Sequence, residues 1–247
     1  MLRLLALFGL TLVLYLSLLI GLPLGRLFGR SPTRLKARVG RIWARGFSRI
    51  IGMRVKVEGT PPAVPFLMVT NHLGYVDVLV LMSQADCVFV AKAEIARWPL
   101  VGMVCRAGDT IFIEREKIRD IPRTLAGIER ALGRGRGVVI FAEGRTAGGD
   151  QVLPFRPSLL EPAARGGLPV ACATLTYSTP RGSPSARDVV CWWRNEPFWD
   201  HARELLKLPC FEARVVFGEA PIVETDRKVL AERSWQAVRS KFDPVPP

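Results

Sequence analysis

The residues of this sequence best suited to chemistry are His72 and Asp77, which are separated by four residues. Histidine is the side chain whose ordinary pKa lies nearest neutral pH, so it commonly acts as a general base. A carboxylate on its second ring nitrogen fixes its tautomer and orientation. The spacing therefore predicts a catalytic pair. Taken alone, it also fits a surface histidine in a loop followed by an aspartate that caps a helix.

The pair lies at a predicted strand-to-helix corner, because residues 65–70 are typical of a short buried strand and Val76–Met82 of a helix start. Further strands are predicted at Cys87–Ala91, Thr110–Ile113, Val138–Phe141, Val170–Leu175, Val189–Trp193 and Arg214–Phe217. Helices are predicted at Ile95–Cys105, Ile118–Leu132, Ser158–Ala164, Trp199–Leu206 and Arg227–Ser240. This alternation predicts an α/β fold with a mixed, largely parallel sheet flanked by helices.

Ahead of this domain lies an apolar segment, since no residue from Leu4 to Leu24 is charged. At ~1.5 Å per residue a helix of that length matches a bilayer core, so residues 1–25 are predicted to form a membrane-spanning or inserted helix. A secretory signal peptide is the rival interpretation. Residues 21–26 offer no small-x-small cleavage site, which favours a retained helix.

Residues 26–52 are strongly basic, and apolar residues recur among their cations at helical spacing. They predict an amphipathic helix that lies on anionic headgroups, or an ordinary helix packed on the domain with a solvated basic face. The chain's net charge of +13 also indicates anionic partners. By the positive-inside rule the remaining 53–247 domain faces the cytoplasm, with a bacterial inner membrane as the expected location.

Several kinds of chemistry find no support in the sequence. The five cysteines are scattered and the chain has only two histidines, so we expect reduced core cysteines and no metal site. No Gly-x-Ser-x-Gly nucleophile motif is present, which favours direct attack by a substrate hydroxyl over an acyl-enzyme intermediate. Residues 133–137 alternate Gly and Arg but precede a strand, so they are interpreted as a helix stop and turn.

Four motifs resemble those of the glycerolipid acyltransferase family, typified by the 1-acylglycerol-3-phosphate acyltransferases. Residues 71–77 match its first motif, Asn-His-x4-Asp, and residues 111–115 resemble its second. Residues 141–144 resemble the third, usually Phe-Pro-Glu-Gly-Thr-Arg, and residues 167–170 the fourth. The resemblance spans about residues 55–222, and four motifs in order are far more specific than one.

The resemblance implies transfer of a fatty acyl group from an acyl-CoA or acyl carrier protein (acyl-ACP) thioester to the free hydroxyl of a lysolipid. His72 would take the hydroxyl proton while Asp77 holds the imidazole, and no cofactor would be bound. The residues that it places around the acceptor are Lys92, Phe112, Arg115, Glu143, Gly144, Arg145, Thr146 and Arg156. Cations among them would meet an acceptor phosphate.

One departure from the family concerns the acceptor, because Arg145 precedes Thr146 where the family has threonine first. Moving an arginine by one residue along a turn redirects its guanidinium, so phosphate recognition is in question. Residues 143–159 also resemble bacterial lyso-ornithine lipid acyltransferases, whose acceptor is zwitterionic and has no phosphate. Lysophosphatidate is the first expectation and lyso-ornithine lipid the alternative.

A function of another class is a basic membrane-tethered protein that binds anionic lipid or nucleic acid without chemistry. The sequence has no helix-turn-helix signature and no aromatic-basic strand motif, so nucleic acid is not an expected partner. The expected partners are a lysolipid, the acyl donor and a bilayer with anionic lipids. A thioester-cleavage assay discriminates, because a binding protein releases no thiol.

Overall fold

The structure of the chain is a computed structural model, which describes residues 2–114, 121–194 and 196–245. The strands are β1 (Met53–Glu58), β2 (Leu67–Thr70), β3 (Cys87–Lys92), β4 (Ile111–Ile113), β5 (Gly137–Phe141), β6 (Val170–Ser178) and β7 (Phe211–Phe217). The helices are α1 (Leu2–Leu27), α2 (Pro32–Ile50), α3 (Val76–Gln84), α4 (Val101–Ala107), α5 (Ile121–Gly133), α6 (Pro157–Arg165), α7 (Ala186–Val189), α8 (Phe198–Lys207) and α9 (Arg227–Arg239).

The described strands form one sheet in the order β1-β7-β6-β2-β5-β3-β4. All neighbouring strands run parallel except β6 and β7, which pair antiparallel. The mixed, largely parallel sheet predicted from the sequence is therefore confirmed. Strands β2 and β5 lie at its centre and are buried along their whole length.

Helices cover both faces of the sheet. Alternate side chains of a strand point to opposite faces, so each central strand contributes to two cores. In β2, Met68 packs in one core with apolar residues of α2, α3 and α8. Leu67 and Val69 pack in a second core with α5, α6 and α9. The near-continuous apolar runs of the strands thus reflect burial on both sides.

Helices α1 and α2 form an antiparallel pair against the domain. A Cβ at Gly46 would lie 2.8 Å from the Leu10 side chain, and the Trp43 indole donates to the Thr11 hydroxyl at 3.0 Å. At the start of α1 the Arg3 guanidinium donates to backbone carbonyls of Leu206 and Leu208 at the end of α8. Helix α1 is long and apolar enough to cross a membrane and leaves most of its apolar side chains exposed.

The prediction of a strand at Val189–Trp193 is wrong. Residues 186–189 form the short helix α7, and an irregular buried segment follows it. Its backbone N–H groups donate outside any sheet ladder, for example from Trp192 to the Leu73 carbonyl at 2.8 Å. The apolar pattern arose from burial, since Val190 and Cys191 are almost fully inaccessible.

Two other elements differ from the sequence prediction. The helix predicted at Ile95–Cys105 is divided by Pro99 and by Leu100, whose φ is +62°, into a 3-10 turn (Ala93–Arg97) and α4. Strand β1 had no counterpart in the prediction, although Met53, Val55 and Val57 alternate with the charged residues Arg54, Lys56 and Glu58. This alternation is typical of a half-exposed strand, and β1 is an edge strand of the sheet. The start of the helix predicted at Ile118–Leu132 lies outside the described residues.

Candidate active site

The centre of the sheet brings two motifs side by side. Strands β2 and β5 are parallel and in register, with Thr70 opposite Phe141. His72 and Glu143 each follow two residues later, so both lie just past the carboxyl edge of neighbouring strands. That edge is where α/β sheets commonly place their sites.

His72 and Asp77 are in direct contact, as the sequence spacing predicted. Nδ1 of His72 lies 2.7 Å from Oδ2 of Asp77. The carboxylate sits in the first turn of α3 and is fully buried. Its Oδ2 also accepts the backbone N–H groups of Leu73 (2.7 Å) and Gly74 (3.1 Å). These bonds fix the carboxylate, and Nε2 is the ring nitrogen left to meet a substrate.

The imidazole is held by its surroundings as well as by Asp77. Its ring stacks on the Phe141 ring with centroids 4.0 Å apart and planes 18° from parallel. The backbone carbonyl of His72 accepts the N–H of Ala147 at 2.8 Å. The His72 side chain keeps 20% of its surface exposed, so a substrate can reach the ring.

A residue that sequence analysis missed completes the partners of Asp77. The Tyr177 hydroxyl, from β6, donates to Oδ1 of Asp77 at 2.6 Å. Burial of Tyr177, reinforced by the Asp77 charge, raises the pKa of the phenol well above its ordinary value. The hydroxyl therefore remains a donor at every physiological pH. No sequence pattern links two residues that are 100 positions apart.

Glu143 is buried beside the pair, with 2% of its surface exposed. Oε1 accepts the backbone N–H of Leu153 at 3.1 Å, whereas Oε2 is buried and has no partner among the described residues. Burial raises the pKa of this carboxyl to about 8, although backbone N–H groups of Leu153 and His72 oppose the shift. An unpartnered buried polar atom at a site edge is suited to a ligand.

The turn after Glu143 carries the remaining predicted residues of the third motif. Gly144 has φ +75°, and a Cβ there would lie 2.8 Å from Cδ of Arg156, so the Arg156 stem packs across the turn. Arg145 is exposed, and its charge acts to lower the pKa of Glu143. Thr146 is half-buried. The structure therefore places two exposed arginines around a buried carboxyl.

The other predicted acceptor residues lie farther along the same sheet. Lys92 ends β3, next to β5, and its exposed ammonium lies 3.9 Å from the Glu94 carboxylate. Phe112 is in β4, two strands from β5 at ~4.8 Å per strand, and is half-buried. Arg115 lies outside the described residues.

Three further contacts bring distant parts of the chain to the site. The Asn71 amide exchanges hydrogen bonds with the backbone of Leu175, at 2.9 and 2.8 Å, which joins the end of β2 to β6. Trp193 packs on Gly148 and Val245 packs on Gly149, so both contact the glycine-rich turn after Glu143, residues 144–149. For these contacts the sequence offered one signal, which is the polar Asn71 directly after a buried strand.

The described residues contain no group of three histidine, cysteine or acidic side chains placed as metal ligands. The arrangement instead provides an oriented imidazole, a buried carboxyl with one free oxygen, and nearby cations. Such a set can take a proton from a bound hydroxyl next to an anionic or polar group.

Comparisons with known proteins show that the chain is similar to known acyltransferases. The Acyltransferase family profile matches residues 54–176. The lyso-ornithine lipid O-acyltransferase of Rhizobium meliloti is 34% identical over 76% of this chain and 67% of its own. The 1-acyl-sn-glycerol-3-phosphate acyltransferase of Neisseria gonorrhoeae is 31% identical over 64% of this chain and 67% of its own.

The fold also matches a crystal structure, that of the 1-acyl-sn-glycerophosphate acyltransferase from Thermotoga maritima. The TM-score is 0.62 at 19% identity, and the match covers 96% of this chain and 97% of that one. At this identity the match shows a common fold. Together with the family profile and the relatives, it shows that the chain is an enzyme of the lysolipid acyltransferase family.

Proposed function

We propose that this enzyme transfers a fatty acyl group from a CoA or acyl carrier protein thioester to the free hydroxyl of a lysolipid, with His72 as general base. The observation that carries the proposal is the 2.7 Å contact between Nδ1 of His72 and the fixed carboxylate of Asp77. An ionised carboxylate only accepts hydrogen bonds, so Nδ1 carries the proton and Nε2 presents a lone pair.

In the proposed reaction the acceptor oxygen attacks the thioester carbon while Nε2 takes the hydroxyl proton. The tetrahedral intermediate then collapses, the carbon–sulfur bond breaks, and the leaving thiolate takes the proton from the imidazolium. Asp77 stabilises the imidazolium between the two steps. No side chain becomes acylated.

The test is acyl transfer by purified protein, followed as thiol release and as labelled lipid product. His72→Ala should lower kcat by ~10²- to 10⁴-fold, because a general base typically contributes that much, and Asp77→Asn should be severely impaired. His201→Gln, at the only other histidine, is the control and should retain activity. Near-normal turnover by His72→Ala, or an acyl–protein adduct trapped by mass spectrometry, would contradict the mechanism.

For the acceptor, we propose lyso-ornithine lipid first. The Rhizobium meliloti relative carries that name and aligns with more of this chain, at higher identity, than the Neisseria gonorrhoeae relative. The exchanged order of Arg145 and Thr146 supports the same choice. The proposal thus reverses the order in which the sequence alone ranked the two acceptors. Lysophosphatidate is the second candidate, favoured by the exposed Arg145 and Arg156 beside Glu143.

The acceptors are distinguished by parallel assays at equal concentration. The wild type should acylate lyso-ornithine lipid faster than lysophosphatidate. If phosphate is instead the recognised group, lysophosphatidate is preferred and Arg145→Ala raises its KM by about tenfold or more, as expected for a lost charged hydrogen bond. Arg134→Ala, at an exposed arginine beside the amino end of β5, is the matched control.

We also infer that α1 inserts into one leaflet instead of spanning the bilayer, with the domain on the cytoplasmic side. Helix α1 packs along α2, and α2 has a cleft of about 440 Å³ lined by four arginines and Asp86. A spanning α1 would carry these cations into hydrocarbon, which is costly. Anionic headgroups are favourable partners for the arginines, and the cytoplasmic leaflet supplies them.

A further inference from the structure

The fully buried carboxylate of Asp77 has hydrogen-bond donors on both oxygens. Oδ2 takes the His72 ring and two backbone N–H groups, and Oδ1 takes the Tyr177 hydroxyl. The three donors on Oδ2 are local, since they come from residues 72–74. Tyr177 is the donor from a distant part of the chain, strand β6, so it connects the His72–Asp77 pair to the sheet.

Tyr177 is held rigidly enough to orient its partner. It lies in β6, has 1% of its surface exposed, and its ring meets the Phe211 ring edge-on with centroids 6.2 Å apart. A hydroxyl donating to an ionised carboxylate at 2.6 Å is a short, charge-assisted bond. Because Asp77 is inaccessible to water, no solvent molecule can replace this bond in the free enzyme.

We propose that Tyr177 is a positioning residue of the transfer reaction, acting on His72 through Asp77. The proposal rests on the proposed role of His72 as general base. The Tyr177 hydroxyl fixes the rotation of the carboxylate, so that Oδ2 stays aligned with Nδ1. It also draws negative charge toward Oδ1, which limits how strongly Asp77 stabilises the imidazolium. The hydroxyl thereby holds the imidazole in one orientation.

Other titratable groups near the pair do not duplicate this role. Glu143 approaches from the end of β5, and Cys191 approaches from the segment after α7; each interacts electrostatically with Asp77. The Glu143 carboxyl is bonded to Leu153, and burial raises the pKa of the Cys191 thiol, so that thiol stays neutral. Of these three residues, Tyr177 is the one that donates a hydrogen bond to the Asp77 side chain.

The test is Tyr177→Phe, which keeps the ring and removes the hydroxyl. We expect kcat to fall about tenfold with KM for donor and acceptor unchanged within about twofold. Asp77 then holds the imidazolium more strongly, so the acid limb of the kcat profile should move to higher pH by about half a unit. Tyr75→Phe is the matched control, because it removes a hydroxyl that contacts His201 at 3.0 Å. It should leave the acid limb in place.

A double variant separates positioning from general stability. In the Asp77→Asn background, Tyr177→Phe should cause little further loss of kcat, because the two residues act as one unit. A purely structural role would give the same loss in both backgrounds, with a lower Tm and an unmoved acid limb. Additive losses, or a wild-type profile in Tyr177→Phe, would overturn the proposal.

A second measurement needs neither turnover nor loss of the hydroxyl. Replacing Tyr177 by 3-fluorotyrosine strengthens the donor, so the NMR titration of His72 should move to lower pH, opposite to its movement in Tyr177→Phe. Titrations that do not move in opposite directions would refute the role of Tyr177 even if transfer is confirmed. Conversely, a wild type that acylates no lysolipid would refute the proposed function and leave the titration result standing.

Discussion

Single side chains at this site differ in what burial does to them. Asp77 and Glu143 are both inaccessible carboxyls, but Asp77 has four hydrogen-bond donors. Glu143 accepts the backbone N–H of Leu153 at 3.1 Å, and its Oε2 has no partner among the described residues. Donors favour the ionised form and desolvation favours the neutral form. The site therefore combines a carboxylate that orients the His72 ring with a carboxyl whose pKa is raised by burial to about 8.

Relative to the wild type, Glu143→Gln is predicted to raise the free energy of unfolding by an amount that grows as pH rises. The pKa of Glu143 is about 8 in the folded protein against an ordinary 4.5, so between these values only the folded state holds the proton. The wild type then loses stability from about pH 4.5 to 8, by ~1.4 kcal/mol per pKa unit of difference, and an uncharged glutamine does not. Thermal unfolding of both proteins at pH 5, 6.5 and 8 measures this.

The control for that series is Glu212→Gln, at an exposed glutamate of β7. Its Tm difference from the wild type should stay nearly constant across the three pH values. If the Tm difference of Glu143→Gln is equally constant, the carboxyl is not protonated in the folded protein.

At the scale of elements, the glycine-rich turn and the residues just after it are in contact with α9 and with the segment that follows α9. The N–H of Val245, in the segment after α9, donates to the Gly149 carbonyl at 2.7 Å, and the Val245 side chain is buried on Gly149. The Trp235 indole, on α9, donates to the Val152 carbonyl at 3.1 Å. The segment that carries Glu143 and Arg145 is therefore shaped by residues near the end of the chain.

Val245→Ala is predicted to loosen this turn. Loss of buried methyl groups costs about 2 kcal/mol, which for a protein of this size lowers Tm by roughly 4–8 °C. Acceptor KM should rise a fewfold, because the turn positions Glu143. Calorimetry and initial rates measure both, with Val223→Ala, at a valine 54% exposed, as the control. Equal effects of the two variants would show that the contact has no special role.

At the scale of the whole molecule, apolar and basic surfaces lie together. Helix α1 exposes Leu5, Phe8, Leu12, Leu16 and Leu19, which share one helical face, and the arginine-lined cleft belongs to the adjacent α2. Apolar insertion resists salt, whereas attraction of arginines to headgroups is screened. The combination predicts anchoring by α1 with electrostatic support from α2.

The full-length protein should remain in the membrane fraction through a 1 M salt wash. Substituting Leu12, Leu16 and Leu19 together by glutamate should leave the fold intact, because these side chains are exposed, and make binding salt-sensitive. Val229→Glu, on the exposed side of α9, is the control. Release of the unsubstituted protein by salt would contradict insertion.

Local pattern determined much of this protein from the sequence alone. The long apolar helix, the central strands and the His72–Asp77 contact depend on residues close together in the chain, where periodicity and spacing determine geometry. The same locality produced the error at Val189–Trp193, because a buried irregular segment and a buried strand have the same apolar composition.

Only the tertiary structure decided what meets across long separations. The hydroxyl of Tyr177 on Asp77, the Asn71 amide on Leu175 and Val245 on Gly149 each join residues about a hundred positions apart. Such contacts depend on strand order and register, which follow from packing of the whole sheet and leave no mark in local spacing. The sequence thus identified the His72–Asp77 contact, and the fold determined which distant residues hold it in place.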